Sequence, residues 1–241
     1  MGPGDTVQMT GRAREVLLIS EVIFGYRTYL KLIREEFPEK ELRESGMMKE
    51  VERCREAIDT AFAGRKVALV SSGDAGVYGM AGLVLELLRD REGDEGEINL
   101  EIVPGVSAAQ AAASLLGAPL MNDYASVSLS DLLTPWEMII KRLHAAGAGD
   151  FVVVLINPRS RGRREQIVEA RRILLEYREG ATPVGIVRSA HRGESRVVLT
   201  DLERMLDHEI DMLTTVIVGN SETTHFGDVM VTKRGYGKDE R

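Results

Sequence analysis

Short β-branched runs alternate with segments of helical period along most of this chain, and no other feature restricts its fold as strongly. Lys66–Ser71 (KVALVS) is followed by a glycine loop and a helix through Leu83–Leu88, and residues 98–103 (INLEIV) by Pro104-Gly105 and an alanine-rich helix over 107–116. The pattern continues with a strand at 125–129, a helix opened by Thr134-Pro135-Trp136-Glu137, a strand at 151–156, a loop at 157–164, a helix to about Tyr177 and a strand at 184–188. A helix near 201–209 and strands at 215–219 and 229–232 close the chain. Parallel strands need crossover connections, so this alternation predicts an α/β architecture with much parallel sheet. The clearest helix spans 47–63. Met47, Val51, Cys54, Ile58, Ala61 and Phe62 recur at three- and four-residue steps, and Gly64 sits at the C-cap position, so Cys54 reads as core. Leu116-Gly-Ala-Pro119 breaks its helix cleanly and sets the expected boundary between an N-terminal domain, 1–118, and a C-terminal domain, 119–241.

Composition narrows the function classes. A chain of 241 residues with 44% hydrophobic and 29% charged residues has the make-up of a soluble globular protein. Its longest apolar runs, such as Phe151–Ile156, fall far short of the roughly 20 residues that cross a bilayer. The opening MGPGDTVQMTGRAR lacks the apolar core of a signal peptide, so the expected location is the cytosol, away from membranes. A single cysteine excludes an internal disulfide and any multi-cysteine metal site. The histidines at 144, 191, 208 and 225 show no H-E-x-x-H pairing, so no dedicated metal centre is expected. A net charge of −7 argues against a nucleic-acid partner while leaving room for a local basic pocket.

The segment VSSGDAGVYGMAG, Val70–Gly82, carries glycines at 73, 76, 79 and 82. It matches neither the dinucleotide fingerprint nor the P-loop, and no lysine follows it. Its place between a strand and a helix is where open α/β sheets bind ligands. Glycines at three-residue steps leave backbone N–H groups open to a flat ligand, although a packing turn would use the same residues. Asp74 suits a ribose hydroxyl or an ammonium group better than a phosphate. Gly2-Pro3-Gly4-Asp5 forms another such loop, and Pro104–Ala108 (PGVSA) a third. The last resembles the G-x-S-x-G nucleophile elbow, but Ala109 stands in the final glycine position and no acid and histidine complete a triad. Ser107 reads instead as a helix cap that also touches a ligand.

Asn157–Arg164 (NPRSRGRR) sets arginines at 159, 161, 163 and 164 just before a helix. Cations there oppose the helix dipole unless an anion sits nearby, and guanidinium forks suit carboxylates. A solvated basic face is the plainer alternative. Arg188, His191, Arg192 and Arg196 form another basic cluster.

Taken in order, GPGD, SSGDAGVYGMAG, PGVSAA, SVSLSDLLTPWE, NPRSRGRR, VRSAHRGES and TTVIVGNSET resemble the tetrapyrrole methyltransferases of cobalamin biosynthesis. The likeness is to the branch that methylates precorrin-3B or cobalt-factor III at carbon-17, and it covers essentially the whole chain. It implies two α/β domains with the active site in the cleft between them, a homodimer, and S-adenosylmethionine held folded by backbone groups. By position, Pro3, Gly73, Asp74, Val77, Ser107, Ala108 and Asn157 are the cofactor contacts it implies. The small-molecule substrate it implies, a tetrapyrrole bearing acetates and propionates, would supply anions for Arg159, Arg161, Arg163 and Arg164. The methyl goes to carbon-17 as the ring contracts, and Asp131, His191, Ser128 and Ser130 are the candidates for the proton transfers.

The chain departs from the family pattern in two places. Relatives begin with a hydrophobic strand and a further glycine before G-P-G-D, so the first strand is expected to be missing. Ala75 stands where many relatives have proline. Methylation at another ring carbon by the same fold, and a non-catalytic cofactor or tetrapyrrole binder, are the competing readings.

Overall fold

The computed structural model describes residues 1–91 and 98–236. Two compact units, Met1–Ser107 and Ala108–Arg241, divide the chain. The division falls before the alanine-rich helix rather than after it.

In the first unit, β1 (Val22–Tyr26) is the centre of a parallel sheet of order β2-β1-β3, with β2 spanning Glu41–Ser45 and β3 Val67–Val70. Its uniformly apolar VIFGY is what a strand covered on both faces requires. Val22, Ile23 and Phe24 are fully buried or nearly so. At Gly25 a Cβ would stand 2.6 Å from Val70 Cγ2 on the neighbouring strand, so the sheet and Leu30 close over a residue without a side chain.

Helix α1 (Gly11–Ile19) is capped by Thr10, whose Oγ1 accepts from the Ala13 N–H at 3.2 Å. Helices α2 (Arg27–Ile33), α3 (Glu50–Phe62) and α4 (Ala81–Arg89) complete the unit. Leu30 and Ile33 of α2 pack with Ile23, Ala68 and Val70, while Cys54 and Ile58 of α3 pack with Val84 of α4. Burial pushes the Cys54 thiol up to about 11, as expected of a core cysteine.

Two expectations fail here. Met47 and Met48 lie outside α3 and are 70% and 84% exposed, because the chain turns through a positive φ at Met48 before the helix begins. Residues 98–103 do not form a strand: no described strand runs beside them, and alternation without a partner makes no ladder. The other edge of β3, which a further strand would occupy, carries among the described residues no ladder. The run RDREGDEGE predicts a charged turn at 89–97, of which residues 92–97 lie outside the described residues.

The second unit is built on a mixed sheet of order β5-β6-β9-β7-β8. Its strands are β5 (Tyr124–Ser128), β6 (Val152–Ile156), β7 (Pro183–Arg188), β8 (Arg196–Asp201) and β9 (Thr214–Val218). Period-two alternation distributes β6 between two cores. Val153 and Leu155 face α6 (Trp136–Ala148) and α7 (Glu165–Leu174), while Val152 and Val154 face α5 (Ala108–Leu116). At Gly185 of β7 a Cβ would stand 2.4 Å from Leu116 Cδ1, so α5 beds onto the sheet at a bare backbone position. A small sheet joins β4 (Gly117–Ala118) to the hairpin of β10 (Thr223–Phe226) and β11 (Val229–Thr232).

Helix α6 starts at Trp136 with Pro135 as its uncapped N-cap, so Thr134 does not cap it. The helix expected near 201–209 shrinks to a single turn, Met205–Asp207. Asp201 accepts from the Arg204 N–H at 2.9 Å, and a local bond of that kind competes with helix propagation.

Candidate functional site

The three glycine loops of the first unit meet. Gly2 and Gly73 exchange backbone hydrogen bonds, Gly2 N to Gly73 O at 3.1 Å and Gly73 N to Gly2 O at 2.8 Å, and both have positive φ. Gly105 lies so close that a Cβ there would stand 2.3 Å from Gly73 O. Asp74 joins the same knot: its Oδ1 accepts from Gly76 N at 2.7 Å and its Oδ2 from Gly105 N at 2.8 Å. The Gly105 amide, foremost, holds the Asp74 carboxyl below the usual carboxylate range. Asp74 is thus first of all a clamp between loops, with its remaining lone pairs available to a ligand. Thr10 Oγ1 donates to Pro104 O at 3.1 Å, and Arg12 pairs with Glu101, which fixes the 98–105 segment without a strand. Pro3 is buried beside this knot, Val77 is 46% exposed on the loop, and Ser107 is buried immediately before α5 opens at Ala108.

Loop geometry in this unit rests on a residue the motifs did not single out. Arg53, in α3, is 5% exposed, and its guanidinium donates to Ser45 Oγ at the end of β2, to Gly46 O at 3.5 Å and towards Met80 Sδ at 3.8 Å. It ties the exit of β2 to the end of the glycine loop. Its signal in the sequence is an arginine on the apolar stripe beside Cys54.

In the second unit, β5 and β6 are parallel and β9 is antiparallel to both β6 and β7, so β5, β6 and β7 point the same way. Ser128, Ser130, Asn157 and His191 therefore share one edge of the sheet, the carboxyl edge, where α/β folds place ligands. Asn157 takes a positive φ there, and its Nδ2 donates to Ser128 Oγ at 3.1 Å. Arg163 turns inward. It is 7% exposed, donating to Asn157 O at 2.8 Å and to Ser130 Oγ at 3.4 Å. It therefore braces the site from within, unlike its three neighbours. Asp131 is exposed and accepts from Gln166 Nε2 at 2.9 Å.

His191, also at positive φ, has its ring Nε2 3.0 Å from Ser114 Oγ. The only hydroxyl proton of Ser114 goes to Ala111 O at 2.9 Å, so Ser114 accepts and Nε2 of His191 carries the hydrogen. With that hydrogen on Nε2, Nδ1 is the ring nitrogen turned away from Ser114.

Arg159, Arg161 and Arg164 line an open cavity of about 540 Å³ with Ile210, Asp211, Met212 and Leu213. Among the described residues the side chains of these arginines have no hydrogen-bond or ion-pair partner. Asp211 is already engaged, accepting from Arg188 Nε at 2.8 Å and from the Leu213 and Thr214 groups, so it does not neutralise the rim. The result is an apolar floor under unpaired cations, suited to an apolar body with carboxylates at its periphery.

Comparison with known proteins bears on what such loops and such a cavity serve. The family model described as "Tetrapyrrole (Corrin/Porphyrin) Methylases" matches residues 1–206. The chain belongs to this family. It is 53% identical over 236 residues to the "Cobalt-factor III methyltransferase" of Priestia megaterium, an alignment spanning 98% of this chain and 44% of that protein. It is 48% identical to the "Probable cobalt-factor III C(17)-methyltransferase" of Salmonella typhimurium, spanning 98% and 97% of the respective chains. Among solved structures, the methyltransferase CobJ superposes with a TM-score of 0.88 at 34% identity, covering 96% of each chain. This tetrapyrrole methylase thus has the α/β fold expected of it. Among the described residues no helix is long and apolar enough to cross a membrane, and no group of three or more His, Cys, Asp or Glu side chains is arranged to hold a metal ion.

Proposed function

We propose that this chain methylates a cobalamin precursor, cobalt-factor III or precorrin-3B, at ring carbon-17 in a reaction coupled to ring contraction. The observation that carries the reading is the cavity of unpaired arginines over an apolar floor, in a family of tetrapyrrole methylases. The names of the relatives point to cobalt-factor III and to carbon-17.

S-adenosylmethionine, when bound, supplies an already activated methyl group, so no protein nucleophile is required. The glycine knot would form a wall of its site: positive φ at Gly73 and the absence of a Cβ at Gly105 let the three loops close backbone against backbone. Pro3, Gly73, Asp74, Val77 and Ser107 are the residues of the first unit that would hold it, and Ala108 and Asn157 remain the contacts that the family resemblance implies. Arg159, Arg161 and Arg164 then orient the substrate through its carboxylates, which lowers the entropy of the reacting pair. Ser128 Oγ accepts from Asn157 Nδ2 and, at 3.3 Å, from Ser130 N, which fills its acceptor sites and leaves its own proton to donate. Ser128 is accordingly the best-placed proton donor, with His191 Nδ1 the best-placed acceptor. We read the working form as a homodimer in the cytosol.

The test is incubation of the purified chain with S-adenosylmethionine and cobalt-factor III, followed by mass spectrometry and NMR of the product. The reading requires gain of a methyl at carbon-17 in a contracted ring. S-adenosylhomocysteine binding without any methylated product would make the chain a binder. A methyl at another carbon would place it in a different branch. Replacing Arg159 and Arg161 with Ala should raise the substrate KM about tenfold or more while leaving cofactor affinity alone; an unchanged KM removes the arginine role.

A further inference from the structure

Resting on the assignment of Ser128 as the proton donor, we infer that Arg163 is a positioning residue for the reaction: it fixes both groups that orient the Ser128 hydroxyl and sets a positive charge near it. This is a different task from that of Arg159, Arg161 and Arg164, which share its loop but line the cavity. Every residue concerned belongs to the second unit.

The guanidinium of Arg163 forks. Nη2 donates to the Asn157 carbonyl at 2.8 Å, and Nη1 donates to Ser130 Oγ at 3.4 Å. These are the same two residues that donate to Ser128 Oγ, Asn157 through Nδ2 at 3.1 Å and Ser130 through its backbone N at 3.3 Å. Ser128 is thus held at two points, and each point is held in turn by one arm of Arg163. Asn157 depends on this hold, because its φ of 52° is a sparsely populated conformation that a bond to its carbonyl keeps from relaxing. Nη2 also approaches Met212 Sδ at 3.5 Å, so one guanidinium joins the serines to a residue of the arginine cavity.

Hydrogen bonds alone do not call for a cation here. Arg163 is 7% exposed, its Nε is buried without a hydrogen-bond partner, and among the described residues it has no ion-pair partner. Asp131 and Asp211, which adjoin its contacts Ser130 and Met212 in sequence, accept from Gln166 and Arg188 instead. A buried, uncompensated cation just before the N-terminus of α7, where the helix dipole is also positive, costs stability. Arrangements that cost stability in this way concentrate at functional sites. With little water between, the field of the guanidinium reaches Ser128 weakly screened. As the proton passes from Ser128 Oγ to the substrate, the O–H electron pair stays on Oγ. The guanidinium stabilises that negative charge until water returns a proton.

The experiment compares the parent, Ser128→Ala, Arg163→Met and the double variant in single-turnover conversion of cobalt-factor III with S-adenosylmethionine to the methylated, contracted ring. Melting temperature and S-adenosylhomocysteine affinity serve as folding checks. Arg163→Met should slow the turnover about a hundredfold and leave the half-saturating substrate concentration unchanged. In the Ser128→Ala background the same substitution should cost nothing further, because the arginine acts through the serine. Arg163→Lys keeps the charge but cannot span both acceptors, so it should lose only about tenfold. An unchanged rate in Arg163→Met, with or without weaker substrate binding, overturns the inference and leaves the functional reading standing. So does a loss that adds in full to that of Ser128→Ala, which would make Arg163 a purely structural arginine. Ser128→Ala as fast as the parent removes the serine as donor and the inference with it, while methylation stands. No product from the parent overturns the functional reading itself. Should Arg163→Met not fold, Arg163→Lys carries the comparison, and a rate equal to the parent's sinks the inference.

Discussion

Replacing Gly105 with Ala tests the glycine knot by pure sterics. Gly105 does not have a positive φ, so alanine meets no backbone penalty. The new Cβ would stand 2.3 Å from Gly73 O, a main-chain atom that no rotamer change can move. The two loops must part by roughly 1 Å, which also stretches the 2.8 Å bond from Gly105 N to Asp74 beyond useful range. Overpacking of this kind costs about 1–3 kcal/mol. Taking about 2 kcal/mol as the share that falls on the cofactor surface, S-adenosylhomocysteine should bind about thirtyfold more weakly by calorimetry. The matched control is Gly82→Ala, where a Cβ meets nothing within 4 Å inside α4 and helix propensity improves. That variant should bind like the parent. If Gly105→Ala binds like Gly82→Ala, the knot is not a wall of the cofactor site, and the argument from loop geometry fails.

Other expectations follow from the same contacts. Asp74 is held ionised in the fold, so its stabilisation is complete above the ordinary carboxylate range and lost as pH falls through its lowered pKa. The melting temperature of Asp74→Asn should therefore lie below that of the parent at pH 7, and the gap should close below about pH 4. Cys54, buried with its thiol raised to about 11, should resist a thiol reagent at pH 8 in the native protein and react once it is unfolded in guanidinium. Gly185→Ala would drive a Cβ into Leu116 and should destabilise the second unit by about 1–3 kcal/mol, seen as a lower denaturant midpoint; an unchanged midpoint would mean that α5 can lift without cost.

Fold class was legible because strand–helix alternation is a local signal. Boundaries failed where a competing local bond or a missing neighbour intervened. Asp201 stopped a helix by capturing the Arg204 amide, and 98–103 kept the composition of a strand but had nothing to pair with. VIFGY at Val22–Tyr26 gave no periodic signal, since a strand buried on both faces shows none. Within the site, the glycine loops stood out by composition. Their pairing did not, because Gly2 with Gly73 and Asp74 with Gly105 are contacts between distant segments. Likewise the arginines of NPRSRGRR look equivalent along the chain. The turn that pairs Ser160 with Arg163 aims one of them into the protein and leaves the others on the cavity rim.

The bare edge of β3 matters to anyone concentrating this protein. Val67–Val70 is short and wholly apolar, and its outer edge, which carries no ladder among the described residues, is of the kind on which a strand from another molecule can form. Leu100 and Ile102 are 40% and 47% exposed on a segment that joins no ladder among the described residues. Clouding of concentrated solutions should start from these surfaces, and a lysine at Ile102 should delay it in light scattering without touching the glycine loops.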